Sequence, residues 1–265
     1  MTRRRPTVAD LRADKGRAQK TMLRFFSLDE AAAAEGAGID IASVPPELVA
    51  HPDFRQKAPG LFAMTGKAHP EAGTPDDYLR FCGTMLQAGA DALYCSGSLG
   101  TVEYLAREYV PVVGHVGLVP SRATFTGGFR AVGKTAAEAI GLYHECRRYH
   151  EAGAFAVEIE VVPVEVASAI SARLPLLLWS MGSGPGCDAQ YLFAEDILGE
   201  NTGHVPRHAK VYRDFAAEYA RLQAERIAAF REFGADVATG RFPERRHLVT
   251  MDPREHEAFL TGIGG

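Results

Sequence analysis

The sequence lacks the features of a membrane, nucleic-acid-binding or disulfide-rich protein. None of its apolar runs approaches the ~18 uninterrupted residues that a membrane-spanning helix needs. The formal net charge is -4 at pH 7, so no basic surface for nucleic acid or an anionic membrane is indicated. The four cysteines form no CxxC pair and no short His/Cys spacing, which excludes a local zinc motif and a disulfide framework. We therefore expect a small-molecule partner, reduced thiols and a cytoplasmic location.

What the 265 residues do contain is a series of short apolar runs that alternate with longer segments of helical spacing. Such runs, bounded by glycine or proline, are typical of strands buried on both faces of a parallel sheet. The predicted strands are Met22–Phe26, Ile39–Val44, Leu61–Met64, Ala92–Cys95, Val110–Val113, Ala156–Val161 and Leu176–Trp179. The predicted helices between them are Leu28–Gly36, Thr74–Gly89, Thr135–Gly153 and Pro163–Leu174. This pattern predicts an α/β fold, a (βα)8 TIM barrel, with an open doubly wound sheet as the alternative because no eighth strand stands out.

The two ends of the chain differ from this repeat. The charged segment Val8 to Lys20 predicts an N-terminal helix within residues 1–20, and not the apolar core of a signal peptide. Ala209 to Phe233 predicts a long charged helix that would cover the barrel or a neighbouring subunit. Residues 241–265 predict a loosely attached tail. We expect one domain over residues 1–265, a barrel with a C-terminal helical extension.

Two of the predicted strands carry an ionisable residue at the C-terminal end, where (βα)8 barrels place their active sites. Glu160 closes the run Ala156–Val161, and His115 follows Val112–Gly114. A carboxylate at such a position can move a proton, and an imidazole can donate a hydrogen bond and titrate near neutrality. The alternatives are a Glu160 that pairs with an arginine in the loop and a purely structural His115. Both residues are candidate catalytic groups.

Glu158 is the third candidate catalytic residue. Strand side chains alternate, so Glu158 should face the same way as Glu160, one layer deeper. Two inward carboxylates ~6 to 7 Å apart disfavour each other's ionisation, so a proton would be shared or one group would stay neutral. The alternative is a bulge that turns Glu158 outward, or a basic residue that neutralises it.

The stretch Pro111–Pro120 resembles the Gly-His-Leu-Gly-Leu-Thr-Pro motif of the ketopantoate hydroxymethyltransferase family, and Val157–Glu165 resembles its Leu-Glu-Cys-Val-Pro motif. Thr126–Lys134 and Gly182–Gln190 resemble two further glycine-rich segments of that family. The resemblance implies an oligomeric (βα)8 barrel that performs an aldol step on a 2-oxo acid. It also implies that the residue matching Glu160 is the general acid/base and that the histidine lies close to the substrate.

The resemblance is strong from Val110 to Gly199 and poor from Val44 to Ser96, where the family's metal and substrate ligands are replaced. The family segments Val-Gly-Asp-Ser and Ala-Asp-Met/Leu-Pro-Phe, which supply two Asp ligands to Mg²⁺, correspond here to Ala42-Ser43-Val44-Pro45 and Met64-Thr65-Gly66-Lys67-Ala68. The family's Val-Lys-Ile-Glu-Gly becomes Leu93-Tyr94-Cys95-Ser96-Gly97. Tyr94 and Ser96 thus stand where the family has a substrate-binding Lys and a Glu behind the metal.

Loss of both Asp ligands removes the oxygen donors that Mg²⁺ requires, so no metal site is predicted. A replacement built from His51, Asp53, His69 and Glu71 would match no known spacing. No cofactor is predicted, and the use of Mg²⁺ or tetrahydrofolate stays open. Tyr94, Ser96, Ser183 and Gly184 are the candidate substrate-binding residues, since hydroxyl and loop NH groups can hold a carboxylate or stabilise an enolate.

The expected function is formation or cleavage of a carbon–carbon bond next to the carbonyl of a small 2-oxo acid or related carboxylate, without Mg²⁺ and in specialised metabolism. The first alternative is an isomerase, dehydratase or hydrolase that uses Glu158 and Glu160 on the same barrel. The second is a non-catalytic binding relative, because a fold alone does not fix function.

Overall fold

A computed structural model describes residues 3–67 and 73–264. Eight parallel strands form a closed barrel, in which each strand pairs with its neighbours in chain order and the eighth pairs with the first. The strands are β1 (Lys20–Arg24), β2 (Ile41–Ser43), β3 (Phe62–Lys67), β4 (Ala92–Cys95), β5 (Val112–Gly117), β6 (Ala156–Glu160), β7 (Leu177–Met181) and β8 (Ala189–Phe193). The predicted (βα)8 TIM barrel is confirmed, and the open sheet is excluded.

The described residues also form helices before, between and after the strands. They are α1 (Val8–Ala13), α2 (Leu28–Gly36), α3 (Pro46–Val49), α4 (Phe54–Lys57), α5 (Pro75–Ala88), α6 (Leu99–Arg107), α7 (Ala123–Thr126), α8 (Ala136–Glu151), α9 (Val164–Ser171), α10 (Ala194–Leu198), α11 (Phe215–Ala238) and α12 (Pro253–Gly262). Capping explains several of the boundaries: the side chains of Thr7, Thr74 and Thr135 each accept a hydrogen bond from the backbone three residues later. No helix among the described residues is long and apolar enough to cross a membrane.

The eighth strand was not predicted because a polar residue interrupts its apolar run. Gln190 is the second residue of β8, and its side-chain amide donates a hydrogen bond to the carbonyl oxygen of Gly184. The side chain thus serves the loop outside the barrel while its neighbours Ala189 and Tyr191 are buried. Side chains of a barrel strand alternate between outward and inward, so a polar outward residue breaks the apolar run by which the strand would be predicted.

Alternation divides the apolar core into two layers. Val112, Val157 and Leu178 are among the residues that face the helices, in the larger cluster around the barrel. Phe62 and Trp179 belong to the cluster inside the barrel. Burial of each such side chain stabilises the fold by about 1.5–3 kcal/mol. This stabilisation offsets the cost of a layer of polar side chains above the apolar interior. That layer lies at the C-terminal ends of the strands.

The chain divides into two compact units, of which the first contains the barrel and ends at Arg213. The second unit, from Asp214, contains α11 and α12. The long helix begins later than predicted because the Asp214 side chain caps it by accepting a hydrogen bond from the backbone NH of Ala217. Residues 241–265, predicted as a tail, include α12. The expectation of one domain over residues 1–265 stays a prediction.

Candidate active site

A cavity of about 320 Å³ opens at the C-terminal ends of the barrel strands. Its walls are the last inward side chains of the strands together with part of the loop after β5. The lining residues are Arg24, Ser43, Met64, Gly66, Lys67, Tyr94, Ser96, His115, Pro120, Ser121, Glu158, Glu160, Met181, Tyr191 and Phe193. A cavity of this size suits a small molecule.

The three candidate catalytic side chains meet in this cavity. β5 and β6 are neighbours in a register that places His115 opposite Glu158. Glu158 faces the barrel interior, as alternation predicts, and the alternative of an outward bulge does not occur. The Nε2 atom of His115 lies 3.1 Å from Oε2 of Glu160, and one ligand atom from each of the three residues lies within 4.8 Å of the others. Their catalytic roles stay predictions.

Tyr94 forms a hydrogen bond with Nδ1, the second ring nitrogen of His115. Its hydroxyl lies 2.7 Å from Nδ1 of His115. Burial raises the pKa of Tyr94 well above its usual range, so the phenol stays neutral and can donate to Nδ1. This sets the neutral histidine as the Nε2–H tautomer. Despite its short distance to Glu160, Nε2 has no aligned hydrogen-bond partner among the described residues and is available to a ligand.

Burial and mutual charge shift the protonation of this cluster. Burial lowers the pKa of His115, but the negative charge of Glu158 and the contact with Glu160 outweigh it and leave that pKa raised. Burial raises the pKa of Glu158, and the charge of Glu160 adds to the rise while His115 and Arg24 oppose it. Glu158 and His115 therefore both bind a proton more firmly than the free side chains would, which favours an acid beside Glu160.

Two cations in the cavity were not identified from the sequence. Arg24 ends β1, where its Nη1 donates a 3.0 Å hydrogen bond to the Ser43 hydroxyl. The guanidinium carbon lies 5.2 Å and 5.8 Å from the ring centres of Phe26 and Phe193. Lys67 ends β3 at the same cavity. The available signal for Arg24 was a lone charge inside the apolar run Met22–Phe26.

His208, from the loop before α11, was also missed. A Cβ on Gly182 would lie 2.8 Å from Nδ1 of His208, so the imidazole packs directly on the backbone after β7. Burial lowers the pKa of His208, although the charges of Glu160 and Asp196 oppose this. The ring is thus close enough to Glu160 to influence it electrostatically. No motif in the sequence links this loop residue to the barrel mouth.

The four candidate substrate-binding residues fall in two places. Tyr94 and Ser96 line the cavity, whereas Ser183 and Gly184 are not among the described residues that line it. The Ser183 hydroxyl accepts a hydrogen bond from the Val162 NH and donates one to the carbonyl oxygen of Ile159. Ser183 therefore ties the loop after β7 to the end of β6. Substrate binding by these four residues stays a prediction.

Comparison with known proteins places the chain in a family. Residues 70–245 match the sequence model of the family described as ketopantoate hydroxymethyltransferase. The 3-methyl-2-oxobutanoate hydroxymethyltransferase of Nitratidesulfovibrio vulgaris (strain DP4) is 30% identical over 97% of this chain and 89% of its own length. The chain belongs to the ketopantoate hydroxymethyltransferase family.

Other relatives bear the same name and align over less of their length. The Hyperthermus butylicus protein is 42% identical over 71% of this chain, and the alignment spans 63% of that relative. A Chloroflexus aurantiacus protein is 38% identical over 71% of this chain and 65% of its own length. Oxaloacetate acetylhydrolase is a solved structure with 12% identity and a TM-score of 0.51, covering 97% of both chains. At that identity the likeness shows the barrel fold alone.

The residues at the ends of β2 and β3 do not fit the Mg²⁺ site that the family resemblance implies. Ser43 ends β2 and Val44 follows it, while Gly66 and Lys67 end β3, so neither strand end offers a carboxylate within the described chain. His115, Glu158 and Glu160 together offer one nitrogen and two oxygens, a donor set that suits a transition metal better than Mg²⁺. The positive charges of Arg24 and Lys67 in the same cavity oppose a further cation.

The replacement metal site considered from the sequence gains no support. His51 and Asp53 are exposed, and His51 Nδ1 accepts a hydrogen bond from the backbone NH of Asp53. His69 and Glu71 lie outside the described residues.

Proposed function

We propose that this chain makes or breaks a carbon–carbon bond next to the carbonyl of a small 2-oxo acid or related carboxylate, without Mg²⁺ at the position the family uses. The observation that carries the proposal is the meeting of His115, Glu158 and Glu160 in a small cavity at the C-terminal mouth of the barrel. Family membership supports the reaction class, and the loss of carboxylates at β2 and β3 supports the altered metal use.

The geometry supports a division of labour among the cavity residues. Glu160 takes a proton from the carbon next to the carbonyl, which leaves an enolate. Nε2–H of His115, fixed by Tyr94, donates a hydrogen bond to the enolate oxygen. The enolate carbon then attacks the carbonyl carbon of an aldehyde, and the new alkoxide takes up the proton that Glu160 holds. In the cleavage direction the same steps run in reverse.

Glu158 lies deeper in the barrel than Glu160 and affects the charge around the reacting groups. Burial raises the pKa of its carboxyl, which favours the neutral form and reduces the negative charge beside the developing enolate. A second carboxylate ionised at this depth would repel both Glu160 and the enolate. The raised pKa of Glu158 favours a proton on the deeper of the two carboxyl groups.

The test is exchange of the α-protons of a 2-oxo acid in D₂O, followed by NMR on protein whose metal content has been measured. We expect exchange without bound metal, and a loss of about 10²–10⁴-fold in Glu160→Gln. Glu165→Gln changes an exposed carboxylate at the start of α9 and should leave exchange unchanged. Stoichiometric divalent metal, or exchange that appears only when metal is added, would refute the metal-free part.

The proposal extends to a substrate other than that of the family's primary pathway, since Tyr94 and Ser96 replace the substrate-binding Lys and the Glu expected from the resemblance. Expression in a strain that lacks its own ketopantoate hydroxymethyltransferase separates the two cases. Failure to restore growth, together with retained α-proton exchange on other 2-oxo acids, would support a role in specialised metabolism. Restored growth would contradict it.

A second candidate is an isomerase, dehydratase or hydrolase that uses the same two carboxyl groups. It is favoured by the raised pKa of Glu158 beside Glu160, which provides an acid and a base without an enolate. Loss of activity in both Glu158→Gln and Glu160→Gln, combined with no α-proton exchange and no aldehyde incorporation, would favour it. A Glu160→Gln variant with full biological activity would instead indicate a non-catalytic binding relative.

We further propose a cytoplasmic homo-oligomer with no nucleic-acid or membrane partner. Cys82, Cys95, Cys146 and Cys187 are all buried and free, which suits a reducing compartment. On α11, exposed apolar side chains recur at helical spacing, namely Tyr219, Leu222, Phe230, Phe233 and Val237. A second copy of the chain would cover such a stripe. Light scattering that gives the mass of one chain at all concentrations would contradict the oligomer.

A further inference from the structure

The cavity contains two positively charged side chains that take no part in the proposed proton transfers. Arg24 enters it from β1, and Lys67 enters it from β3. These two strands flank β2, so positive side chains surround the region where the family resemblance implies carboxylates and a metal ion. Where the family resemblance implies negative side chains that bind a metal ion, this chain has positive side chains.

We propose that Arg24 binds the carboxylate of the substrate and supplies the positive charge that a metal ion would supply in the family. The ligand class is a small carboxylate with an adjacent carbonyl. The assignment of that class rests on the proposed function, whereas the anion site itself rests on the surroundings of Arg24.

Arg24 is held in position without a salt bridge, although its charge acts on Glu158 at longer range. Its guanidinium is held by the hydrogen bond to Ser43 and by its contacts with the rings of Phe26 and Phe193. It forms no ion pair with any carboxylate among the described residues, although half-buried arginines elsewhere in the chain, such as Arg55, do so. A guanidinium fixed in this way presents N–H groups in the geometry that recognises a carboxylate.

The topology places this charge across the cavity from the acid–base cluster. In a closed barrel of eight strands in chain order, β1 and β5 lie half a turn apart. A 2-oxo acid whose carboxylate contacts Arg24 would therefore direct its carbonyl and neighbouring carbon toward His115 and Glu160. This orientation is the one that α-proton removal requires.

Charge balance also favours an anionic ligand. Arg24 and Lys67 both bring a positive charge to the cavity, while burial raises the pKa of Glu158 and so favours its neutral form. The pKa of His115 is raised as well, which favours its positive form, so both shifts make the cavity more positive and a bound carboxylate would offset that charge. Lys67 contributes to the field, but its Nζ lies 5.2 Å from the ring centre of Phe81 and is directed toward α5. Arg24 is therefore the residue that makes the contact.

The experiment compares pyruvate with methyl pyruvate, which has the same carbonyl but no charge, by calorimetry on chelator-treated protein. The wild-type chain should bind pyruvate more tightly than the ester. Arg24→Gln should weaken pyruvate binding about 10- to 100-fold and abolish the discrimination, because it removes charge-assisted hydrogen bonds. Arg24→Lys should restore part of it. Arg17→Gln, an exposed arginine before the start of β1, is the matched control and should bind like the wild type.

The outcomes separate this inference from the proposed function. Glu160→Gln should bind pyruvate normally while it loses exchange, and discrimination that depends on Arg24 in a protein without any exchange activity would still support the anion site. Pyruvate affinity that is unchanged in Arg24→Gln would overturn it, as would pyruvate binding that requires an added divalent metal. Absence of discrimination between acid and ester in the wild type would overturn it even if the variants fail to fold.

Discussion

Gly114 is the position at which the smallest substitution should displace the candidate catalytic histidine. A Cβ there would lie 2.4 Å from Cε1 and 2.5 Å from Cδ1 of Tyr149. Tyr149 is buried on α8 within the apolar cluster around the barrel, so any movement of its ring displaces packed neighbours. Ordinary contacts begin near 3.4 Å, so in Gly114→Ala either the ring or β5 must shift by about 1 Å, and His115 moves with β5.

The cost of this substitution follows from packing. Overpacking a well-filled core typically costs about 1–3 kcal/mol. Replacing glycine by alanine in a strand returns about 0.5–1 kcal/mol through the reduced entropy of the unfolded chain. Because the overlap with Tyr149 is about 1 Å, we expect the upper half of the packing range, about 2–3 kcal/mol, and hence a net loss of about 1–2.5 kcal/mol in the free energy of unfolding. A shift of about 1 Å in a catalytic group can cost on the order of 100-fold in rate, so exchange should fall much further than stability suggests.

Urea unfolding and α-proton exchange on the same preparations test both parts. Gly141→Ala in α8 is the control, because its Cβ would meet nothing within 4 Å and should stabilise the helix by about 0.5–1 kcal/mol. A Gly114→Ala variant as stable as the wild type would refute the packing argument. A destabilised variant with an unchanged exchange rate would show that Gly114 does not position His115.

Three further predictions concern protonation. The raised pKa values of Glu158 and His115 mean that the native chain holds more protons than the unfolded one, so stability should fall as the pH rises above about 4.5, the ordinary value for Glu. Thermal unfolding of Glu158→Gln should show a shallower fall, and an unchanged slope would contradict this. Tyr94→Phe should leave the His115 tautomer unset, visible by ¹⁵N NMR, and slow exchange about 10-fold; an unchanged tautomer would contradict this. His208→Gln should match the wild-type exchange rate at pH 7–8 and exceed it only below about pH 6.5, because the pKa of His208 is lowered and only its protonated form adds a positive charge near Glu160. Identical pH profiles would exclude that influence.

Apolar runs were sufficient to predict seven strands of the barrel, but their ends were less predictable. The predicted strand Val110–Val113 overlaps β5, which continues through His115 to Gly117. The sequence pattern ends at Gly114 because a glycine and a histidine break the apolar run. In the barrel the imidazole points into the polar layer, so it continues the strand without loss of packing. Functional residues at the end of a strand therefore make the strand predicted from the apolar run shorter than the real one.

The direction of Glu158 was predictable because it depends only on the alternation of side chains within β6. Loop residues such as His208 and the tie made by Ser183 were not, since their neighbours are distant in sequence. His208 reaches the backbone of Gly182 from a loop with no regular repeat. Ser183 fits a substrate-binding loop in sequence, yet its hydroxyl is already used by the backbone around β6. Sequence patterns describe which groups exist and leave open which of them are already paired.

Arg24 shows where local pattern stops being informative. Its inward direction follows from alternation with Leu23, as that of Glu158 follows from alternation with Ile159. Its height in the barrel does not, because it depends on closure: β1 pairs with β8 so that Arg24 lies opposite Phe193, and with β2 so that it lies opposite Ser43. Arg24 and His115 reach opposite walls of one cavity only when every register between them is set. The meeting of His115, Glu158 and Glu160 thus depends on two neighbouring strands, β5 and β6. The position of Arg24 opposite them depends on closure of the whole barrel.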